Sequence, residues 1–142
     1  MKLLADSSAF AKRYILEAGS ESMDQLLQNA SELALSALLV PEVISALNRR
    51  LRENLLPPRD YRKIKRRLMA DVHDAVVIQI TPAIISHSVK LLERHALRAM
   101  DALHVACALE WGAALFVTAD RRQVTAAQHA GLHTQYIGSQ DP

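Results

Sequence analysis

Four short apolar runs punctuate the chain, at 2–5, 33–35, 76–80 and 114–117, continuous rather than alternating, and 134–137 reads as a last short strand. A strand with one wet face alternates apolar and polar residues, whereas a run that is apolar throughout belongs to a strand covered on both faces. Between these runs lie segments whose apolar residues recur three and four apart, the period of a helix. Strands and helices therefore alternate. That pattern describes an α/β fold: a three-layer α/β/α sandwich around a central, mainly parallel sheet.

The helical segments have recognisable starts and stops. Asp6-Ser7-Ser8 follows the first run and favours a helix start, predicting a short helix over 8–15. Glu17-Ala18-Gly19-Ser20 breaks it, and Ser20 is expected to cap a second helix over 21–29 with Met23, Leu26, Leu27 and Ala30 inward. A third helix, 38–53, carries apolar residues at 39, 40, 43, 44, 47 and 51, with Pro41 in its first turn. Leu56-Pro57-Pro58 separates it from a basic helix over 60–73 with Tyr61, Ile64, Leu68 and Met69 inward. Thr81-Pro82 opens a helix to about His95, with positions 84, 85, 89 and 92 on one face. Another spans 99–111 and ends at Gly112, and the last, 121–130, is closed by Gly131.

At 142 residues, 50% hydrophobic with four Gly and five Pro, the chain can build a core without disulfide or metal staples. One domain over 1–137 is expected, with a frayed tail at 138–142. The single Cys107 reads as a small buried residue of a reducing compartment. Asp6 cuts short the only apolar stretch that could imitate a signal peptide, and no run approaches the roughly 18 residues of a membrane span. A cytoplasmic protein without membrane attachment is expected.

The net charge of +2 conceals a segregation. Residues 49–67 hold nine Lys or Arg (Arg49, Arg50, Arg52, Arg59, Arg62, Lys63, Lys65, Arg66, Arg67) against Glu53 and Asp60, a local balance of +7, which leaves −5 for the rest. Such a segment suits a phosphate backbone, with Arg49, Arg50, Arg62, Lys63, Lys65 and Arg66 as candidate backbone contacts; a solvated helix face is the plain alternative. The six Phe, Trp and Tyr residues are scattered, which argues against a platform for stacking single-stranded bases.

In a parallel α/β sheet, ligands bind at the carboxyl ends of the strands. Asp6 and Asp120 each leave a strand at that end, while Glu42 and Asp101 start helices that open on the same rim. Each acid alone has a structural reading as a helix cap or dipole-favoured first-turn residue. Gathered together they are costly. Two carboxylates about 4 Å apart repel by roughly 4 kcal/mol at an effective dielectric of 20, so such a cluster calls for protons or a cation, and all-oxygen ligands suit Mg²⁺ or Mn²⁺. Ser8 and Thr118 flank the acids and can support them, although capping explains both equally well. His104, in an otherwise apolar run, reads as a hydrogen-bonded core residue. No P-loop, G-x-G-x-x-G, G-x-S-x-G or zinc motif competes, and the D-x-D of a phosphatase is missing at Asp6-Ser7-Ser8.

Asp6-Ser7-Ser8-Ala9 with Lys12-Arg13-Tyr14, Pro41-Glu42-Val43, Asp101-Ala102-Leu103-His104-Val105-Ala106 and Thr118-Ala119-Asp120-Arg121-Arg122, in this order, resemble the PIN domain, and more narrowly the VapC toxins of VapBC toxin–antitoxin systems. The resemblance covers essentially the whole chain. It implies an endoribonuclease that uses Mg²⁺ or Mn²⁺ held by Asp6, Glu42, Asp101 and Asp120, with Ser8 and Thr118 in support. It also implies a homodimer and a cognate antitoxin as partners. A non-catalytic PIN-like module that binds RNA or protein is the alternative.

Overall fold

The computed structural model describes residues 1–139. Five strands, β1 (Lys2–Ala5), β2 (Glu32–Ser36), β3 (Val76–Ile78), β4 (Leu115–Thr118) and β5 (Thr134–Tyr136), form one sheet in the spatial order β3-β2-β1-β4-β5. Every neighbouring pair is parallel. The helices are α1 (Ser7–Phe10), α2 (Ser20–Asn29), α3 (Leu39–Arg52), α4 (Pro58–Asp74), α5 (Pro82–Arg94), α6 (Ala99–Trp111) and α7 (Arg121–His129), with a 3-10 turn over Ala11–Arg13.

Side chains alternate along each strand, and this builds two cores. Leu3, Ala5, Leu35 and Val117 point to one face, beneath Phe10, Met23, Leu39, Val43, Leu47, Ile64 and Leu68 of α1–α4. Leu4, Ala34 and Phe116 point to the other, beneath Ile84, Leu91, Ala102, Val105 and Ala127 of α5–α7. The expected three layers are therefore present. Phe10 and Phe116 are fully enclosed, one in each core, and each such burial contributes about 1.5–3 kcal/mol. Cys107 is buried in the second core, as expected, and burial pushes its thiol above the ordinary range.

Several local expectations change. The chain enters α2 through Gly19 at φ 97°, and Ser20 lies inside the first turn. Its hydroxyl accepts from the Glu17 amide at 3.0 Å and donates to the Ile15 carbonyl at 3.2 Å, so it closes the preceding loop instead of capping. The first helix ends at Phe10 and tightens into the 3-10 turn because the Tyr14 and Ile15 amides both reach back to the Ala11 carbonyl. β3 pairs only with β2, so this edge strand leaves Val76 41% exposed where a buried strand was expected. On α5 the inward stripe is Ile84, Ser88 and Leu91, and Ile85, Val89 and Leu92 face outward. Two stripes one residue apart have the same period, and periodicity alone does not choose between them. Met69, one residue past the buried Leu68, is likewise exposed.

Of the expected frayed tail, 138–142, Gly138 and Ser139 are described, the Ser139 carbonyl accepting from Arg121 Nη2 at 3.2 Å and Tyr136 Oη at 2.9 Å; residues 140–142 lie outside the described residues. No helix among the described residues is long and apolar enough to cross a membrane.

Gly19 also packs where a side chain cannot. A Cβ there would stand 1.8 Å from the Ile137 carbonyl oxygen. The left-handed conformation adds about 1–2 kcal/mol for any residue with a Cβ. Gly19→Ala is expected to destabilise the fold by about 2–4 kcal/mol, read as a lower urea midpoint at unchanged slope.

Candidate active site

From β1 the sheet extends one way through β2 and β3, and from β4 the other way through β5. The order of the chain reverses between β1 and β4, and a parallel sheet opens a crevice at that switch point, beyond the carboxyl ends of its strands. Asp6 leaves β1 there, its amide bonded to the Val117 carbonyl of β4 at 3.1 Å. Thr118 ends β4 and Asp120 follows it as the N-cap of α7. Glu42 and Asp101 arrive in the first turns of α3 and α6. The four acids line one crevice of about 100 Å³ with Ser7, Ser8, His104 and Gln123. All the acids expected at the rim are thus on one surface, and so is Ser8.

Asp6 lies at the floor, 1% exposed. Its carboxylate accepts from the Ala9 amide at 2.9 Å, from Thr118 Oγ1 at 2.7 Å and from Ser8 Oγ at 2.8 and 2.9 Å. The first bond caps α1, so the capping reading and the rim reading hold together. Burial raises the Asp6 pKa above the ordinary aspartate value, and the electrostatic pull of His104 with the hydrogen bonds offsets only part of that. Ser8 and Thr118 are tied onward, Ser8 Oγ accepting from the Ala119 amide at 3.0 Å and Thr118 Oγ1 from the Asp120 amide at 3.0 Å. These two side chains join the ends of β1 and β4 into one frame.

Glu42 is held differently. Ser7 Oγ donates to Glu42 Oε1 at 2.7 Å, and His104 Nε2 meets the same oxygen at 2.5 Å and Ser7 Oγ at 3.2 Å. Burial works to raise the Glu42 carboxyl, but the hydrogen bond and electrostatic pull of His104, with the Ser7 hydroxyl, outweigh it and hold the group below the usual glutamate range. His104 is hydrogen-bonded in the core, as its sequence setting suggested. Its partner, however, is a crevice acid, and its other ring nitrogen is buried with no hydrogen-bond partner among the described residues. Both donors fall on one oxygen of Glu42 and so fix the direction in which the carboxylate faces.

Asp101 accepts from Gln123 Nε2 at 3.0 Å and from the Arg98 amide at 3.4 Å. Burial and then the charge of Asp120 raise its pKa. Asp120 accepts from the Arg122 amide at 2.9 Å, with Arg122 Nε at 3.5 Å. Gln123, 3% exposed, was not foreseen. Its only signal in the sequence is a place three residues after Asp120, inside the first turn of α7.

Among the described residues, no three carboxylate or histidine groups are gathered tightly enough to hold an ion as they stand. Mg²⁺ needs no such cage, since it is bound through one or two carboxylates, keeps several waters and draws further oxygens from phosphate. Hard oxygen donors, together with a carboxylate raised by its neighbour's charge, fit a divalent cation of that kind.

The basic residues sit elsewhere. Arg49 lies seven residues after Glu42 on α3, hence on the same helix face about 10 Å along it, and pairs with Glu53 at 3.7 Å. Arg50 and Lys63 line a separate crevice with Tyr14, Leu55 and Arg67, and Arg50 Nε is buried there without a partner. Arg62, Lys65 and Arg66 are exposed on α4.

A wholly parallel sheet with four acids at its switch point defines an α/β domain with an acidic crevice, and residues 3–128 match the family model described as the PIN domain. The chain belongs to the PIN-domain family. It is 33% identical over 128 residues to proteins named Ribonuclease VapC45 and Ribonuclease VapC49, from two strains of Mycobacterium tuberculosis, covering 89% of each chain and 89% of this one. Among solved structures, the chain resembles Mycobacterium tuberculosis VapC20, titled a Sarcin-Ricin loop cleaving toxin, with TM-score 0.69, 18% identity, and 92% of this chain and 95% of that one covered. It also resembles VapBC2 from Rickettsia felis bound to a promoter DNA fragment, with TM-score 0.67, 12% identity, and 96% and 98% covered.

Proposed function

We propose that this chain is an endoribonuclease that hydrolyses RNA phosphodiesters with a water activated by Mg²⁺ or Mn²⁺, and that it serves as the toxin of a type II toxin–antitoxin pair. The observation that carries this reading is the convergence of Asp6, Glu42, Asp101 and Asp120 on one crevice at the β1/β4 switch point. It is supported by 33% identity to proteins named ribonucleases and by likeness in fold to a chain of a toxin-antitoxin complex from Klebsiella pneumoniae.

The cation, when bound, supplies Lewis acidity to the phosphate and a lowered pKa to the attacking water. Asp6 and Asp120 would hold it, since they flank the switch point just after β1 and just after β4. Glu42, turned by His104 and Ser7, and Asp101, turned by Gln123, are placed either to ligate or to orient the attacking water. Ser8 and Thr118, by their hydrogen bonds, fix the orientation of the Asp6 carboxylate at the crevice. The basic residues of α3 and α4 would grip RNA backbone, each phosphate contact adding about 0.7 to the log–log salt slope. RNA, a cognate antitoxin and a second copy are the partners of this reading, and the cytoplasm its compartment.

Purified protein incubated with RNA and Mg²⁺ or Mn²⁺ is expected to yield fragments with 5′-phosphate and 3′-hydroxyl ends, and EDTA to abolish them. Cleavage that persists in EDTA, or that leaves a cyclic phosphate, would refute a metal-activated water. Intact RNA under all conditions would favour the binding-module alternative.

A further inference from the structure

Away from the acidic crevice, α5, α6 and α7 line an open, solvent-facing cavity of about 520 Å³, large enough for a nucleotide-sized ligand. Its polar lining is almost wholly basic: His87, Lys90, Arg94, His95 and His129. His87 faces Glu110 at 3.6 Å, and among the described residues no carboxylate pairs with Lys90 or Arg94. The rings of His95 and His129 stand edge to face with centroids 5.3 Å apart.

We propose that this cavity is a second RNA-binding subsite, in which Lys90 and Arg94 hold backbone phosphates and the His95–His129 pair offers a ring face to an unstacked base. The inference rests on the ribonuclease reading for its ligand. The combination favours a nucleic-acid strand over a free anion, because phosphate alone needs cations, whereas a base also needs a ring to stack on, and RNA-binding proteins use histidine for this. These histidines supply what the scattered Phe, Trp and Tyr do not.

The placement suits the same strand. α6 carries Asp101 in its first turn and the cavity-lining Leu109 eight residues later; α7 follows Asp120 and ends at His129, nine residues on. At 1.5 Å per residue the cavity is displaced from the acids by about 12–14 Å along both helices. A helically stacked strand rises about 3.4 Å per nucleotide and an unstacked one more, so the offset is at most about four nucleotides. Residues of the substrate a few positions from the cut would therefore occupy it.

The test measures binding of a fluorescent single-stranded RNA 12-mer in EDTA, where cleavage does not interfere, over a series of salt concentrations. Lys90→Ala with Arg94→Ala is expected to weaken binding about tenfold and to lower the log–log salt slope by about 1.4, two contacts' worth. His129→Ala is expected to weaken binding at an unchanged slope, since it removes a ring face. Inorganic phosphate at low millimolar concentration should not displace the RNA. Wild-type affinity and slope in the double variant overturn the subsite, and so does displacement by phosphate, which would make the cavity a single-anion site. Circular dichroism of each variant confirms that the fold is intact. Cleavage by the wild type alongside an unaltered double variant would refute the subsite alone, whereas a wild type that binds through Lys90 and Arg94 but never cleaves would refute the nuclease reading and keep the subsite.

Discussion

Replacing Asp6 with asparagine is expected to lower RNA cleavage by at least about 10³-fold, roughly 4 kcal/mol of transition-state stabilisation, while leaving the protein folded. Two observations separate the effects. Asp6 sits at the crevice floor, between the ends of β1 and β4, where loss of a charged oxygen removes a candidate ligand. Burial also makes its charge expensive: its folded pKa is raised, so the folded state binds the proton more tightly than the unfolded chain. Stability from this group is therefore full at acidic pH and falls as pH rises through the raised value. The neutral amide of asparagine escapes that loss, although it gives up one of the acceptors used by Ser8, Thr118 and Ala9. The two changes oppose each other, and the melting temperature without divalent cations should stay close to that of the wild type. Added Mg²⁺ or Mn²⁺ should raise the wild-type melting temperature, because a ligand of the native state stabilises it, and should raise that of the variant less. A folded Asp6→Asn protein that still cleaves would remove Asp6 from the chemistry.

The same residue shows which parts of this molecule were legible in its sequence. Asp6 closes an unbroken apolar run, and that run could only be an interior strand, so its placement on the rim followed from the parallel sheet. Asp120 was placed by the same logic, and Glu42 and Asp101 by the helix starts they occupy. Edges and faces were less legible. Val76-Val77-Ile78 has the composition of an interior strand, yet it has one neighbour, because strand order depends on crossovers that composition does not encode. On α5 two apolar stripes share one period, and contact with α6 selects Ile84 and Leu91. His104 and Gln123 were hidden because their meaning depends on partners 62 and 22 residues away, Glu42 and Asp101. The cavity beside α5, α6 and α7 was hidden for the same reason: His87, Lys90, Arg94 and His95 come from α5 and its C-cap, and His129, from the end of α7, meets them only in the fold.

Removing the Asp71 carboxylate should cost more stability than any other single polar change on the α1–α4 side, about 2–3 kcal/mol. Asp71, near the end of α4, accepts from Arg13 Nε at 2.8 Å and from Tyr14 Oη at 2.5 Å, and so fastens the basic helix to the chain just after α1. Burial works to raise its pKa, but the hydrogen bonds of Arg13 and Tyr14 outweigh it and hold the carboxyl below the ordinary aspartate range. Tyr14, 9% exposed, is pushed far above the ordinary phenol value by burial and by Asp71, so it stays protonated and donates. Asp71→Ala leaves that hydroxyl and the Arg13 guanidinium with no carboxylate between them, whereas Asp71→Asn retains one acceptor and should lose about half as much. The pH dependence runs opposite to that of Asp6. A carboxyl lowered in the folded state stabilises at pH values above its unfolded pKa and loses that contribution as pH falls through the folded value. Urea midpoints of wild type and Asp71→Asn should therefore differ clearly at pH 7 and converge as pH falls below the ordinary aspartate range. A gap that persists undiminished in acid would mean that the variant loses packing of α4, with no contribution from the ion-paired carboxylate.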